Sequence, residues 1–217
     1  KSAEESAEVE LEDQEVATEH QVAIGGEAVP YHAVAGTVVL REEDGTAKAT
    51  LFHVAYIRSD VESRAARPVT FCFNGGPGSS SVWLHLGILG PQRVATDEMG
   101  NAPPPPYALV DNEHTLLTDS DLVFIDPIGT GHSRMAAGEK VTEFHDYQRD
   151  LDAVGDFIRL YLTRWGRWDS PKYLIGESYG TTRAAGLSLH LQEKHDVFLN
   201  GVMLVSLAID LQTLSFD

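Results

Sequence analysis

Residues 176–180 read Gly-Glu-Ser-Tyr-Gly, a serine between two glycines where a short apolar run, Tyr173 to Ile175, gives way to a helical pattern. A strand that bends sharply into a helix through Gly-x-Ser-x-Gly holds the hydroxyl exposed above the sheet. The glycines are there because a Cβ would strike the neighbouring strand and helix. Ser178 therefore reads as a nucleophile, and the helix that starts beyond it adds a partial positive charge that favours the negative charge of attack. Acyl transfer also needs two N–H donors aimed at the oxyanion, normally the amide after the nucleophile and one from a loop following an earlier strand. Tyr179 supplies the first. The loop Asn74-Gly75-Gly76-Pro77-Gly78 follows the run "RPVTFCF", and Gly76 is the candidate for the second. Such a loop could be a plain turn or a phosphate cradle, but the Gly-Lys-Ser/Thr ending of a phosphate loop is absent. One five-residue pattern arises readily by chance; two in the correct order do so far less often.

The elements that must position these residues follow from periodicity. Tyr31 to Arg58 holds two β-branched and aromatic runs around Asp44-Gly45, which predicts an antiparallel hairpin. "RPVTFCF" and "DLVFID" read as buried strands that stop at glycine-rich loops, and the proline-rich stretch between them, 101–117, reads as an extended surface excursion. Apolar residues recurring at three- and four-residue intervals from Thr142 to Trp165 predict a helix ended by Gly166. A strand to Gly176, a helix from Tyr179 and a strand in "VFLNGVMLVSLA" complete the pattern. Strands alternating with helices after an opening hairpin predict an α/β fold with a mostly parallel sheet.

Composition narrows the function. The 217 residues carry 16 Lys+Arg against 33 Asp+Glu, a formal net charge of -17, which disfavours nucleic acid and anionic lipid as partners. No apolar run approaches the roughly 18–20 residues of a membrane span. Cys72 is the only cysteine, so no intrachain disulfide forms. The histidines lack metal-ligand spacing, and neither a metal nor another cofactor is expected. Residues 1–20 are acidic and poor in aromatics, which predicts a disordered leader.

Taken together, "NGGPGSSS", "FIDPIGTGHS" and "GESYG" resemble the serine carboxypeptidases, a branch of the α/β-hydrolase fold, over roughly Arg67 to Val205. The likeness is to the N-terminal portion of a bacterial-type variant. It implies that residues 21–217 form an incomplete α/β-hydrolase core, with the cap and last strands missing. It further implies that Ser178 attacks the terminal peptide bond, with the Gly76 and Tyr179 amides as oxyanion hole. Asn74, the Gly75 backbone and Glu177 would bind the free α-carboxylate of a peptide substrate. A carboxyl can donate to that carboxylate only while protonated, so activity favoured at acidic pH is implied. The family setting is extracytoplasmic, secreted or periplasmic.

Several positions depart from the family pattern. Ser79 stands where a disulfide-bonded cysteine is usual and Cys72 where tryptophan is usual, and "VWLHLGILGPQR" offers no second glutamate to pair with Glu177. The triad aspartate and histidine of this fold come after later strands, and only some forty residues follow Ser178. His190 and His195 are expected on the helix surface. The acid and base are therefore expected in a missing C-terminal portion, without which the serine stays a weak nucleophile. His132 is expected to be either a loop residue without a role or part of the cleft lining. Trp83 and Leu86 are expected to pack a short helix or else to wall a pocket, and Arg183 faces either the helix surface or a buried acid. An esterase or acyltransferase on the same scaffold, or a non-catalytic peptide- or partner-binding relative, are the alternative functions.

Overall fold

The computed structural model describes residues 11–136 and 146–210. Among the described residues, ten strands and three α-helices follow in chain order. The long hairpin expected around Asp44-Gly45 is β2 (Glu27–Arg41) with β3 (Ala47–Arg58), antiparallel from Tyr31 opposite Arg58 to Arg41 opposite Ala47. β4 (Val69–Phe73), β7 (Asp121–Ile125), β9 (Lys172–Glu177) and β10 (Gly201–Val205) are the remaining central strands. β5 (Gln92–Val94) and β6 (Leu109–Asp111) form a separate two-stranded ribbon, and β8 (Arg134–Met135) pairs with β3. Along the main sheet the order is β1-β2-β3-β7-β4-β9-β10, with the last four mutually parallel and the others antiparallel.

β1 (Gln14–Ile24) corrects the expected disordered leader over its second half. Nearly all its side chains are exposed and only Val22 is buried, so no apolar stripe announces it. Its order comes from eleven paired positions against β2, with Asp13 accepting from the Val39 amide at 2.7 Å and Leu11 accepting from Arg41 Nη2 at 2.8 Å. The acidic side chains project into water, where their repulsion costs little. Residues 1–10 of the expected leader lie outside the described residues, as do Thr142 and Phe144 of the expected helix.

Alternate residues of the parallel strands feed two cores, as a two-residue side-chain period requires. Phe71, Phe73, Val123, Ile125 and Leu174 face α2 (Tyr147–Arg164) and α3 (Tyr179–His195). Cys72, Leu122, Phe124 and Ile175 face the other side, against Leu84 and Leu89. α2 starts at Asp146, whose carboxylate accepts from the Gln148 and Arg149 amides, and stops where Gly166 takes φ 61°.

On the opposite face lies α1 (Val82–Leu84), continued by a π-helical turn over His85–Leu89. Trp83 does not pack this helix: Leu84 faces the sheet and Trp83, on the outer side, is 70% exposed. β4 thus hands the chain to one face of the sheet and β9 to the other. The carboxyl ends of these two adjacent strands, whose loops leave in opposite directions, are the usual ligand position in open α/β sheets.

At the amino ends of the same strands, Asp121 is fully buried and accepts from Arg67 Nε at 2.8 Å and Arg167 Nη1 at 2.6 Å. The guanidinium groups also donate to the Leu117, Thr118, Arg67 and Pro68 carbonyls. This cluster ties β4, β7 and the end of α2 together.

Candidate active site

The elbow is built as the sequence predicts. Ser178 has φ 56° and ψ -125°, a conformation that costs a non-glycine residue about 1–3 kcal/mol. Surrounding bonds hold it there. Its amide donates to the Val205 carbonyl of β10 at 3.0 Å, and its carbonyl accepts from the Thr181 amide at 2.9 Å and the Thr181 hydroxyl at 2.6 Å. Thr181 Oγ1 in turn accepts from the Ala208 amide at 2.9 Å. The two glycines are obligatory contacts: a Cβ on Gly176 would lie 2.0 Å from the Gly180 carbonyl oxygen, and one on Gly180 would lie 2.7 Å from that of Phe73. Ser178, Glu177 and Tyr179 are partly exposed.

The glycine loop after β4 lies directly against this bend. Phe73 is in register with Gly176, one rung from the site. A Cβ on Gly75 would sit 2.4 Å from the Tyr179 amide nitrogen and 2.6 Å from that of Gly180. Gly76, exposed at φ 107°, follows, and the Ser79 amide donates to the Gly75 carbonyl at 3.1 Å. As the first residue of α3, Tyr179 has an amide without an intrahelical acceptor. Asn74, Gly75, Gly76, Glu177, Ser178 and Tyr179 are thus brought together from two loops.

Within the group, Asn74 acts as a brace. Its side chain is fully buried; Nδ2 donates to Glu177 Oε2 at 2.9 Å and Oδ1 accepts from the Leu84 amide at 3.0 Å. A second brace is Asp126, at the end of β7, which accepts from the Ser81 amide at 2.9 Å and the His132 amide at 3.3 Å. His132 itself is exposed, its ring edge-on to Phe52.

His190 and His195 are not the surface residues expected. His190 is 7% exposed and packs on Gly155 of α2, with the His195 ring 5.7 Å away. Their Nε2 atoms lie 3.6 Å from Asp152 and Asp156, and burial holds both imidazoles below the usual histidine range. His190 is twelve residues along α3 from Ser178, roughly 18 Å of helix. Among the described residues no hydrogen bond joins Ser178 Oγ to a histidine, and no group of three or more His, Cys, Asp or Glu could hold a metal ion.

Arg183 resolves toward the buried acid, donating to Asp150 Oδ2 at 2.7 Å. Sequence alone offered no means of choosing that partner, because Asp150 is thirty-three residues earlier and on another helix.

A model of the serine carboxypeptidase family matches residues 26–212. The pheromone-processing carboxypeptidase KEX1 of Saccharomyces cerevisiae is 31% identical over 156 residues, 67% of this chain and 20% of the relative. The corresponding protein of Arthroderma otae is 30% identical over 144 residues, 64% of this chain and 20% of the relative. The chain therefore spans about a fifth of the length of these curated relatives. Among solved structures, a prohormone-processing carboxypeptidase from Saccharomyces cerevisiae superimposes with a TM-score of 0.58 at 26% identity, covering 80% of this chain and 38% of that one. The rice cell wall degrading esterase LipA from Xanthomonas oryzae gives a TM-score of 0.50 at 13% identity, covering 87% and 48%, a likeness of fold alone.

Proposed function

This chain belongs to the serine carboxypeptidase family, and from that premise we propose that it supplies the nucleophile and oxyanion hole of an enzyme that releases C-terminal residues from peptides. The observation that carries the reading is the strained Ser178 bend pressed against the Gly75-Gly76 loop, with the Tyr179 amide at the contact. In this mechanism Ser178 Oγ attacks the carbonyl carbon of the last peptide bond while a general base takes its proton. The oxyanion forms between the Gly76 and Tyr179 amides at the N-terminus of α3. Collapse breaks the C–N bond, the proton passes to the leaving amine, and the acyl group remains on Ser178 until water releases it. The histidine and aspartate of the triad come from the portion of the protein that follows this chain.

Gly75 N–H and the protonated form of Glu177 receive the substrate's α-carboxylate, with Asn74 orienting Glu177 through the bond between them. Substrates are peptides with a free C-terminus, and the setting is extracytoplasmic. Among the described residues no helix is long and apolar enough to cross a membrane. Residues 21–217 act as the N-terminal part of one α/β-hydrolase core.

A serine-directed fluorophosphonate tests this on the full-length protein. Labelling that disappears in Ser178→Ala is the expected result, together with faster hydrolysis of a peptide acid than of its amide. The rival reading, a non-catalytic binder, draws on the lack of a described histidine bonded to Ser178; absence of Ser178-dependent labelling selects it. Equal rates on acid and amide remove carboxylate recognition and leave an esterase or acyltransferase.

A further inference from the structure

Arg183 lies in the second turn of α3 and is 2% exposed. Its Nε donates to Asp150 Oδ2 of α2 at 2.7 Å, while Nη1 donates to the main-chain carbonyl of Asn74 at 2.8 Å. The guanidinium carbon is 5.4 Å from the Phe73 ring centroid and 5.4 Å from that of Tyr179. One buried cation therefore touches both loops of the site. The ion pair uses only Nε, so the bond to Asn74 is a separate contact.

In a trans peptide the C=O and N–H point in opposite directions, and the Asn74–Gly75 bond is trans. Holding the Asn74 carbonyl therefore sets the Gly75 N–H on the side of the peptide away from Arg183. The next peptide has its own anchor, since the Ser79 amide holds the Gly75 carbonyl and so sets the Gly76 N–H. Two consecutive amides with different assignments, carboxylate recognition and oxyanion stabilisation, are thus aimed by two independent groups.

Resting on the assignment of Gly75 as a carboxylate donor, we propose that Arg183 is a positioning residue that aims the Gly75 N–H and thereby sets the preference for substrates with a free C-terminus. It acts through the Asn74–Gly75 peptide and touches neither substrate nor oxyanion. The bond it controls is charge-assisted, so a misaimed amide shows up in discrimination between acid and amide before it shows up in reactivity of the serine.

The test compares two variants of the full-length protein, Asp150→Asn and the double variant Asp150→Asn/Arg183→Met. Both lack the ion pair, and only the second lacks the grip on Asn74. The measurements are kcat/KM on a peptide acid and on its amide, and the rate of fluorophosphonate labelling. Asp150→Asn is expected to keep the parent's acid-to-amide ratio, and the double variant to lose about tenfold of it with labelling changed less than about threefold. The proposal is overturned by a double variant that keeps the ratio, by Asp150→Asn losing as much, or by labelling that falls in step with acid hydrolysis. Arg183→Leu in the Asp150→Asn background replaces a methionine variant that does not fold; loss of fold in both, read by circular dichroism, makes Arg183 structural and also overturns it. A parent that does not discriminate acid from amide defeats the carboxylate reading itself, and the proposal with it. A discriminating parent with a discriminating double variant defeats only the role of Arg183.

Discussion

His53 makes this protein acid-sensitive for a reason that can be worked through. The ring sits in β3, 1% exposed, edge-on to Phe157, Tyr161 and Trp165 at 5.3, 5.8 and 5.5 Å, and among the described residues neither nitrogen has a hydrogen-bond partner. Burial lowers its pKa to about 4; Arg164 pushes the same way, while Asp13, paired with Arg164 at 2.8 Å, and to a smaller extent the Gly36 backbone oppose it. An unfolded histidine titrates near 6.5, so the ring's neutral state costs nothing above that pH. As pH falls from about 6.5 toward 4 the unfolded chain binds a proton that the folded chain refuses, and stability is lost. The full loss is about 3 kcal/mol, of which about 2 kcal/mol is gone at pH 5. His53→Phe keeps an aromatic ring in the cage and removes the titration. Urea unfolding of the full-length protein, followed by tryptophan fluorescence at pH 7.5 and pH 5.0, gives the difference for each form. The parent should lose about 2 kcal/mol more than His53→Phe on acidification. Equal losses in the two proteins would refute the argument, since the remaining groups titrate in both.

Other outcomes follow from the same structure. Gly75→Ala forces a Cβ to within 2.4 Å of the Tyr179 amide, so the loop and the elbow must separate; Ser178-dependent labelling should fall about a hundredfold or more, and a near-parental rate would contradict the contact. Ser178→Gly should be more stable to urea than Ser178→Ala by about 1 kcal/mol, because only glycine accepts φ 56° with ψ -125° without strain; an alanine variant of equal or greater stability would show that the bend is unstrained. Asp121→Asn leaves Arg67 and Arg167 buried without their shared anion, which should cost about 3–5 kcal/mol in urea unfolding, and a loss below about 1 kcal/mol would mean that the carbonyl bonds suffice.

What could be read from the sequence was what local pattern encodes. β4, β7 and β9 are continuous apolar runs because strands covered on both faces need no alternation, and their glycine loops mark where they stop. The Gly176 and Gly180 positions were legible for the same reason, since only a missing Cβ permits the approach to Phe73 and α3. β1 was not, because its order comes from backbone pairing and the hydrogen bonds just before it at Leu11 and Asp13, while its side chains look like a solvated tail. Long-range partners were equally hidden. His190 reads as surface until Gly155 leaves room for its ring, and Arg183 reads as ambiguous until α2 brings Asp150 beside it. Trp83 misled in the other direction, because a single helical turn has one buried side and Leu84 occupies it.

Because Phe73 and Gly176 are neighbours on adjoining strands, the two amides assigned to the oxyanion hole are spaced by the sheet itself. Hydrogen-bonded strands keep a separation of about 4.8 Å whatever their side chains, so the ladder serves as a ruler for the pocket. Insertions or deletions farther out, in the proline-rich excursion or the ribbon below it, can vary from one relative to another and leave that gauge untouched.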